Sequence, residues 1–260
     1  MQRDDFETLL DFYRDQPCQV LPNAYWKSER VLNKSRLFYE RNSSGDFSSM
    51  MIREESRILS YWCDKSLKSI PLYGESRGLS MILVHDDCLE FFKDFNFSHK
   101  TAFFRILHKG APPDNSLLEG YHYERVDPHQ DLAMIASFIN QCYENINVNG
   151  KIVESWLDHP VYDPNLWVWI RETRTDQFAA LGIAEIDHRV PEASLEWVQV
   201  HPDYQRRGLG SAIIAELLRR VSPNVDFTTV SGEVNNPSNP EKLYRQIGFK
   251  GSDVWWMLKV

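Results

Sequence analysis

The sequence predicts an α/β fold: a mixed, partly parallel central sheet flanked by helices, with a smaller N-terminal α/β domain. Three observations carry this. Strand-like and helix-like periods alternate from Tyr121 to the C-terminus, the pattern of a mixed sheet with a parallel part. The composition, 42% hydrophobic and 25% charged over 260 residues, is that of a globular chain large enough for one or two domains. Gly110-Ala111-Pro112-Pro113-Asp114-Asn115-Ser116 breaks both periods and reads as a linker. Domains are therefore expected over 1–115 and 116–260.

The elements follow in order. Phe6, Leu9, Leu10 and Tyr13 recur at helical spacing after an Asp cap, and Pro17 stops the run, so a helix is expected over Asp4 to Gln16. Strands are expected at Arg36–Glu40, Met50–Arg53, Arg57–Cys63, Leu79–His85 and Ala102–His108, with a short helix at Asp86–Phe95. Beyond the linker, strands are expected at Tyr121–Val126, Leu166–Arg171, Gln177–Ile186, Ser194–His201, Asp226–Val234 and Val254–Val260. Helices are expected at Pro128–Tyr143, Lys151–Asp158, Gly208–Arg220 and Pro240–Ile247.

Charge and cysteine content narrow the function. Lys+Arg is 29 and Asp+Glu is 37, a net charge of −8, which disfavours nucleic acid and anionic lipid as partners and mildly favours a cationic one. Four cysteines, Cys18, Cys63, Cys88 and Cys142, are scattered without zinc spacing, and read as buried free thiols in a reducing cytoplasm. Eight histidines form no HExxH, so no metal is expected. The acidic N-terminus does not read as a signal peptide, so none is expected, and no run reaches the ~18 apolar residues of a membrane span. A cytoplasmic location is expected.

The chemistry-bearing stretch runs from Leu195 to Gly210. A strand ends at Pro202, and Gln205-x-x-Gly208-x-Gly210 opens a helix with an apolar stripe of Leu209, Ile213 and Leu217. A helix start offers unbonded N–H groups and the positive dipole end, and glycines let a ligand approach. Arg206 and Arg207 add charge there. GKS/T and a third glycine are absent, so this is neither a P-loop nor a dinucleotide fingerprint. The pattern Val-x-Val-x-Pro-x-x-Gln-x-x-Gly-x-Gly resembles motif A of the GNAT superfamily of N-acetyltransferases. Leu243-Tyr244-Arg245-Gln246-Ile247-Gly248-Phe249 resembles the family's motif B, and the resemblance spans about Gly120 to Val260. One departure is visible: Asn235-Asn236-Pro237-Ser238-Asn239-Pro240 stands where the family has one Asn and helix formers.

The resemblance implies a GNAT fold and transfer of acetyl from acetyl-CoA to an amine by direct attack in a ternary complex. It implies that Gln205, Arg206, Arg207, Gly208, Leu209 and Gly210 hold the pyrophosphate. Val198, Gln199 and Val200 would meet the pantetheine arm, and Asn235 or Asn239 would contact the cofactor. Tyr244 is the implied general acid. Glu196 is the candidate base, because strand alternation places it on one face with Val198 and Val200 and opposite His201; Glu185 and Asp187 are rival carboxylates. A non-catalytic acyl-CoA-binding regulatory module is the alternative, and a hydroxyl acceptor or a longer acyl donor are variants of the enzyme reading. The acceptor, small molecule or peptide, is not legible; monomer and homodimer both fit.

The N-terminal half has no motif A, but Leu89–Phe97 parallels Lys242–Phe249, each with an aromatic five residues before a closing Phe. It reads as a truncated, diverged GNAT-like half or as an unrelated α/β cap. Its sole comparable glycine stretch, Gly74-Glu75-Ser76-Arg77-Gly78, carries an acid and opens a strand-like run.

Overall fold

Leu9, Leu10 and Tyr13 are buried along one side of α1 (Arg3–Asp15), and Pro17 ends that helix by opening another, α2 (Pro17–Val20), since proline suits a first helical position. The computed structural model describes residues 3–32, 34–65, 78–114, 117–143 and 146–260. Helices α2 and α3 (Tyr25–Leu32) were not expected, because each is too short to show a helical period above noise.

The chain forms two compact units. The first comprises 1–107, 231–241 and 250–260; the second comprises 108–230 and 242–249. In the first, β1 (Arg36–Arg41), β2 (Phe47–Glu54) and β3 (Arg57–Cys63) form an antiparallel run. Ser44 N and Asp46 N donate to Asn42 Oδ1 in the first turn, the local bonding that makes asparagine a turn residue. Strand β4 (Met81–His85) lies parallel to β3. A 3-10 turn over Asp86–Phe92 stands where a short helix was expected, and leads to β5 (His99–His108). The C-terminal strand, β11 (Lys250–Lys259), runs antiparallel to both β4 and β5. Tyr61, Ile82, Val84, Phe92 and Leu258 form the core here.

Two of the four cysteines are not free thiols. Cys63, closing β3, is joined by a disulfide to Cys88 in the turn after β4, with Cα atoms 6.1 Å apart. The pairing arises because β3 and β4 are spatial neighbours, which their spacing in sequence does not reveal. Cys18 and Cys142 take part in no disulfide among the described residues.

The second unit orders its strands β10-β9-β8-β7-β6. They are β6 (Tyr121–Arg125), β7 (Trp167–Glu172), β8 (Phe178–Asp187), β9 (Glu192–Val200) and β10 (Phe227–Glu233), the last crossing into the first unit after Val230. Neighbours are antiparallel except β9 and β10, which are parallel. Strand β8 is buried from Ala179 to Asp187, so both its faces are covered. Helices α4 (Leu132–Cys142) and α5 (Gly150–Trp156) carry one core, with Ile135, Phe138, Ile139 and Val153 against Trp167, Trp169, Leu181 and Ile183. Helix α6 (Leu209–Val221), with eight buried residues, packs on β8 and β9. Helix α7 (Pro240–Ile247) precedes β11. Among the described residues no helix is long and apolar enough to cross a membrane, and no His/Cys/Asp/Glu group could hold a metal ion.

Candidate functional site

The site begins with a fault in β9. In its antiparallel ladder, Trp197 pairs with Ile183 and Leu195 with Ala184. Glu196 is therefore an extra residue, a β-bulge. On the other side, the parallel ladder to β10 runs from Glu192 to Leu195 and stops there. From Glu196 to Val200 that edge of β9 has no ladder among the described residues. His201 N donates to Ala179 O at 3.0 Å, so the backbone of His201 faces β8. Alternation along an antiparallel strand then turns Gln199 toward β8 and Val198 and Val200 toward the open edge. The carbonyl of Val200 accordingly accepts Gln205 Nε2, at 3.4 Å.

The bulge corrects one expectation. It breaks the two-residue period between Glu196 and Val198, so the shared face assumed for Glu196, Val198 and Val200 does not follow, nor does the argument that set His201 opposite Glu196. His201 is instead occupied by its own bonds. Its Nδ1 accepts Asp203 N at 3.3 Å, its Nε2 lies 3.1 Å from Gln141 Oε1, and its ring packs on Phe138 and Tyr204. Gln199 has a buried side chain whose amide atoms bond to nothing among the described residues.

After β9, a turn over Pro202–Tyr204 leads to two left-handed residues, Arg206 at φ 61° and Gly208 at φ 76°. Only glycine adopts the second without strain, and the space around a Cβ at 208 is open, its nearest atom 3.9 Å away. The first helical bond of α6 is Ala212 N to Gly208 O. The N–H groups of Leu209, Gly210 and Ser211 have no backbone acceptor among the described residues. Gly210 has a different duty: a Cβ there would come within 3.0 Å of Leu243 Cδ2, so it lets α7 press against the start of α6. Arg207 is held by Tyr121 Oη (3.1 Å), Asp203 O (2.9 Å) and the Tyr204 ring. Arg206 is exposed, the freer of the two cations. This fits a diphosphate: free N–H donors at a helix start, a positive dipole end, one exposed guanidinium and no side chain over the turn.

Tyr244 lies on α7, buried, its ring edge-on to Phe249 at 5.4 Å. Burial above all, then Tyr143 and the negative charge of Glu196, hold its phenol well above the usual tyrosine range. Tyr244 and Glu196 are thus close enough to feel one another. Ser194 Oγ donates to Glu196 Oε1 at 2.6 Å. Of the rival carboxylates, Glu185 sits directly across the ladder from Ser194 and binds His159 Nδ1 at 2.9 Å. Asp187 lies at the strand end, where its Oδ1 accepts Arg189 N at 3.0 Å. Tyr143 packs edge-on to Trp197, which stacks on Trp156 at 5.4 Å.

Asn235 and Asn239 are exposed and lie in the segment 231–241 of the first unit. Asn239 holds a left-handed backbone before α7. The asparagine whose side chain organises this turn is Asn236, which accepts Ser238 N and Ser238 Oγ. Sequence reasoning missed Ser194, Tyr143 and His159. Ser194 was open to notice, two residues before Glu196; the other two reach the site only through helix packing.

Residues 163–251 match the family model described as the acetyltransferase (GNAT) domain. A search of characterised protein sequences found no match. Among solved structures, a GCN5-related N-acetyltransferase from Sphaerobacter thermophilus is similar over 90% of this chain and 85% of its own, at 13% identity and a TM-score of 0.64. A Drosophila protein is similar over 100% and 97%, at 14% identity and 0.64. A tandem GNAT protein from the clavulanic acid biosynthesis pathway is similar over 98% and 95%, at 10% identity and 0.54. At these identities the likeness is one of fold. The chain has the GNAT fold, and its residues 163–251 match the model of the GNAT acetyltransferase domain.

Proposed function

We propose that the second unit transfers an acetyl group from acetyl-CoA to an amine by direct attack in a ternary complex. The observation that carries this reading is the open edge of β9, bounded by the free N–H groups of α6 at one end and by Glu196 and Tyr244 at the other. Acetyl-CoA supplies the activated acyl group as co-substrate. Gly208, Leu209 and Gly210 bind its pyrophosphate with backbone N–H groups, Arg206 adds charge, and Val198 and Val200 pair with the pantetheine arm.

An alkylamine of pKa ~10.4 is an ammonium at pH 7.4, and making it neutral costs about 4 kcal/mol. Glu196 accepts that proton. As nitrogen bonds to the acyl carbon, a backbone N–H on the open edge faces the oxygen where charge develops. As the carbon–sulfur bond breaks, Tyr244 gives its proton to sulfur. A phenol whose ionisation is pushed up by burial stays protonated at neutral pH and holds a donor at that point. The nitrogen sheds a second proton as the amide forms; of the two protons the ammonium gives up, one restores Tyr244 and the other passes to solvent, which balances ammonium and acetyl-CoA against amide, CoA thiol and one proton.

The first unit is, in this reading, a diverged GNAT-like half. The test is release of free thiol from acetyl-CoA against a panel of monoamines, polyamines, aminoglycosides and peptides. Turnover of one class above a Glu196→Gln control is expected. Tight CoA binding without turnover of any amine would leave the regulatory-module reading instead.

A further inference from the structure

We propose that the side-chain amide of Gln199 is a ligand-binding group of the open edge of β9, and that its ligand is an amide-bearing chain, either the pantetheine arm of CoA or a peptide acceptor. The choice between these two sources rests on the acetyltransferase reading; the amide chemistry does not. Gln199 is 5% exposed, and neither its Nε2 nor its Oε1 has a hydrogen-bond partner among the described residues. Burying an amide without a partner is unfavourable, and buried polar side chains are nearly always bonded. Other such atoms occur singly, as at Trp62 Nε1 and Asp187 Oδ2; among the described residues only Gln199 has two.

The ladder accounts for its place. Gln199 pairs with Leu181 across β8, so its backbone is engaged there and its side chain shares a face with Leu181. That face carries the apolar core of Trp169 and Leu181, with Trp197 packed against it. The chain neighbours Val198 and Val200 turn their backbone groups to the other edge of β9, where the ladder to β10 stops at Leu195. A chain lying along this edge runs about 4.8 Å from β9, a separation at which side chains on one face meet their neighbours. The Gln199 amide reaches it by turning about its three torsions. Val200 O is already bonded to Gln205 Nε2, so an acceptor from Gln199 replaces one that the edge has spent. A primary amide has two N–H donors and one acceptor oxygen. An amide-bearing chain brings both a carbonyl for Nε2 and an N–H for Oε1. An ammonium would leave Nε2 unpaired, and a phosphate or carboxylate would leave Oε1 unpaired. A buried group left without a partner in the wrong complex is a strong source of selectivity.

The test uses the full chain with Gln199→Met, which keeps the size of the side chain and removes both polar atoms; Gln199→Leu serves if the methionine variant does not fold. Without ligand, the variant should melt higher by roughly 2–10 °C, because a partnerless buried amide is gone. Calorimetric titration then separates the sources. If the pantetheine arm supplies the amide, the variant binds CoA about 10–100-fold more weakly, and 3′-phosphoadenosine 5′-diphosphate, which keeps the diphosphate and lacks the arm, equally well. If a peptide acceptor supplies it, both nucleotides keep their affinity, and KM rises about 10–100-fold for a peptide amine but not for an alkylamine. A ligand-free melting temperature that is unchanged or lower overturns the proposal, as does a variant equal to the wild type in both arms. The 15N–1H resonances of the Gln199 amide, identified by their loss in Gln199→Met, give a readout independent of turnover. If the wild type binds no CoA and acetylates no amine, but these resonances move with millimolar pantetheine or a tripeptide, the acetyltransferase reading fails and this proposal stands. Resonances unmoved by CoA, pantetheine and peptide alike overturn it.

Discussion

The two units share a plan and differ at the point where the second carries its site. In each, three antiparallel strands are followed by a strand parallel to the last of them: β1, β2, β3 and β4 in the first; β7, β8, β9 and β10 in the second, where α6 stands between β9 and β10. In the first unit the parallel ladder survives its irregularity: after Ile58↔Ile82 it resumes at Tyr61↔Val84, and the Cys63–Cys88 disulfide ties the same region. In the second, the ladder ends at Leu195 and does not resume. The position of Tyr244, five residues before Phe249, is taken in the first unit by Phe92, five before Phe97. Phe92 packs on Tyr61 and Phe95 and has no proton to give. One similar plan thus yields a closed core in one unit and an open, hydroxyl-bearing edge in the other.

The largest expected effect tests whether cofactor binding follows this difference. Calorimetric titration of the full chain with CoA should give one site per chain, and ligand at ~100 times its Kd should add about 2.7 kcal/mol of stability. Gly208→Val should abolish both, because valine strains a left-handed turn and covers the N–H groups. Two sites per chain would break the comparison by giving the first unit a cradle of its own. The one glycine stretch that could supply it, Gly74 to Gly78, lies outside the described residues except Gly78.

Next comes the aromatic pair. Tyr244→Phe should lower kcat by ~10²–10⁴ with CoA affinity unchanged. The reciprocal change, Phe92→Tyr, should leave turnover intact and destabilise the fold by about 1–3 kcal/mol, since it places a hydroxyl among apolar side chains. Equal turnover by Tyr244→Phe at saturation, read by thiol release, would reduce Tyr244 to a packing role and erase the distinction.

Much of this arrangement was legible in the sequence. Arg57–Cys63 and Pro240–Ile247 have the expected bounds, because period-2 and helical stripes there are bounded by proline, glycine or acidic turns. The cradle was legible because its φ requirement forces glycine at 208. The bulge was not, because an extra residue is defined by its partner strand, and no residue type marks position 196 as the one skipped in the register. Arg207 reads as an anion ligand; its bond to Asp203 O, four residues back, is local, but its bond to Tyr121 Oη joins segments that sequence cannot juxtapose. The disulfide was hidden for the same reason.

The smallest effect sharpens the assignment of the base within the second unit. Asp187 is a rival to Glu196 by its place on β8, but it lies buried at the strand end, and burial holds its carboxyl above the usual aspartate range, partly offset by the N–H groups of Arg189 and Val190. A raised folded pKa means that the folded state binds the proton more tightly than the unfolded chain. Asp187 therefore contributes stability below the ordinary aspartate pKa that is lost as pH rises through the folded value. Asp187→Asn keeps the acceptor for Arg189 N and never ionises. The variant should match the wild type in acid and exceed it at neutral pH, by a few degrees in Tm at most, at about 2–4 °C per kcal/mol for domains of this size. Its turnover should be unchanged. Melting curves at pH 4 and pH 7.5 decide it: a variant less stable at neutral pH, or one with lost turnover, would mean that the charge of Asp187 is in use and would return it to contention with Glu196.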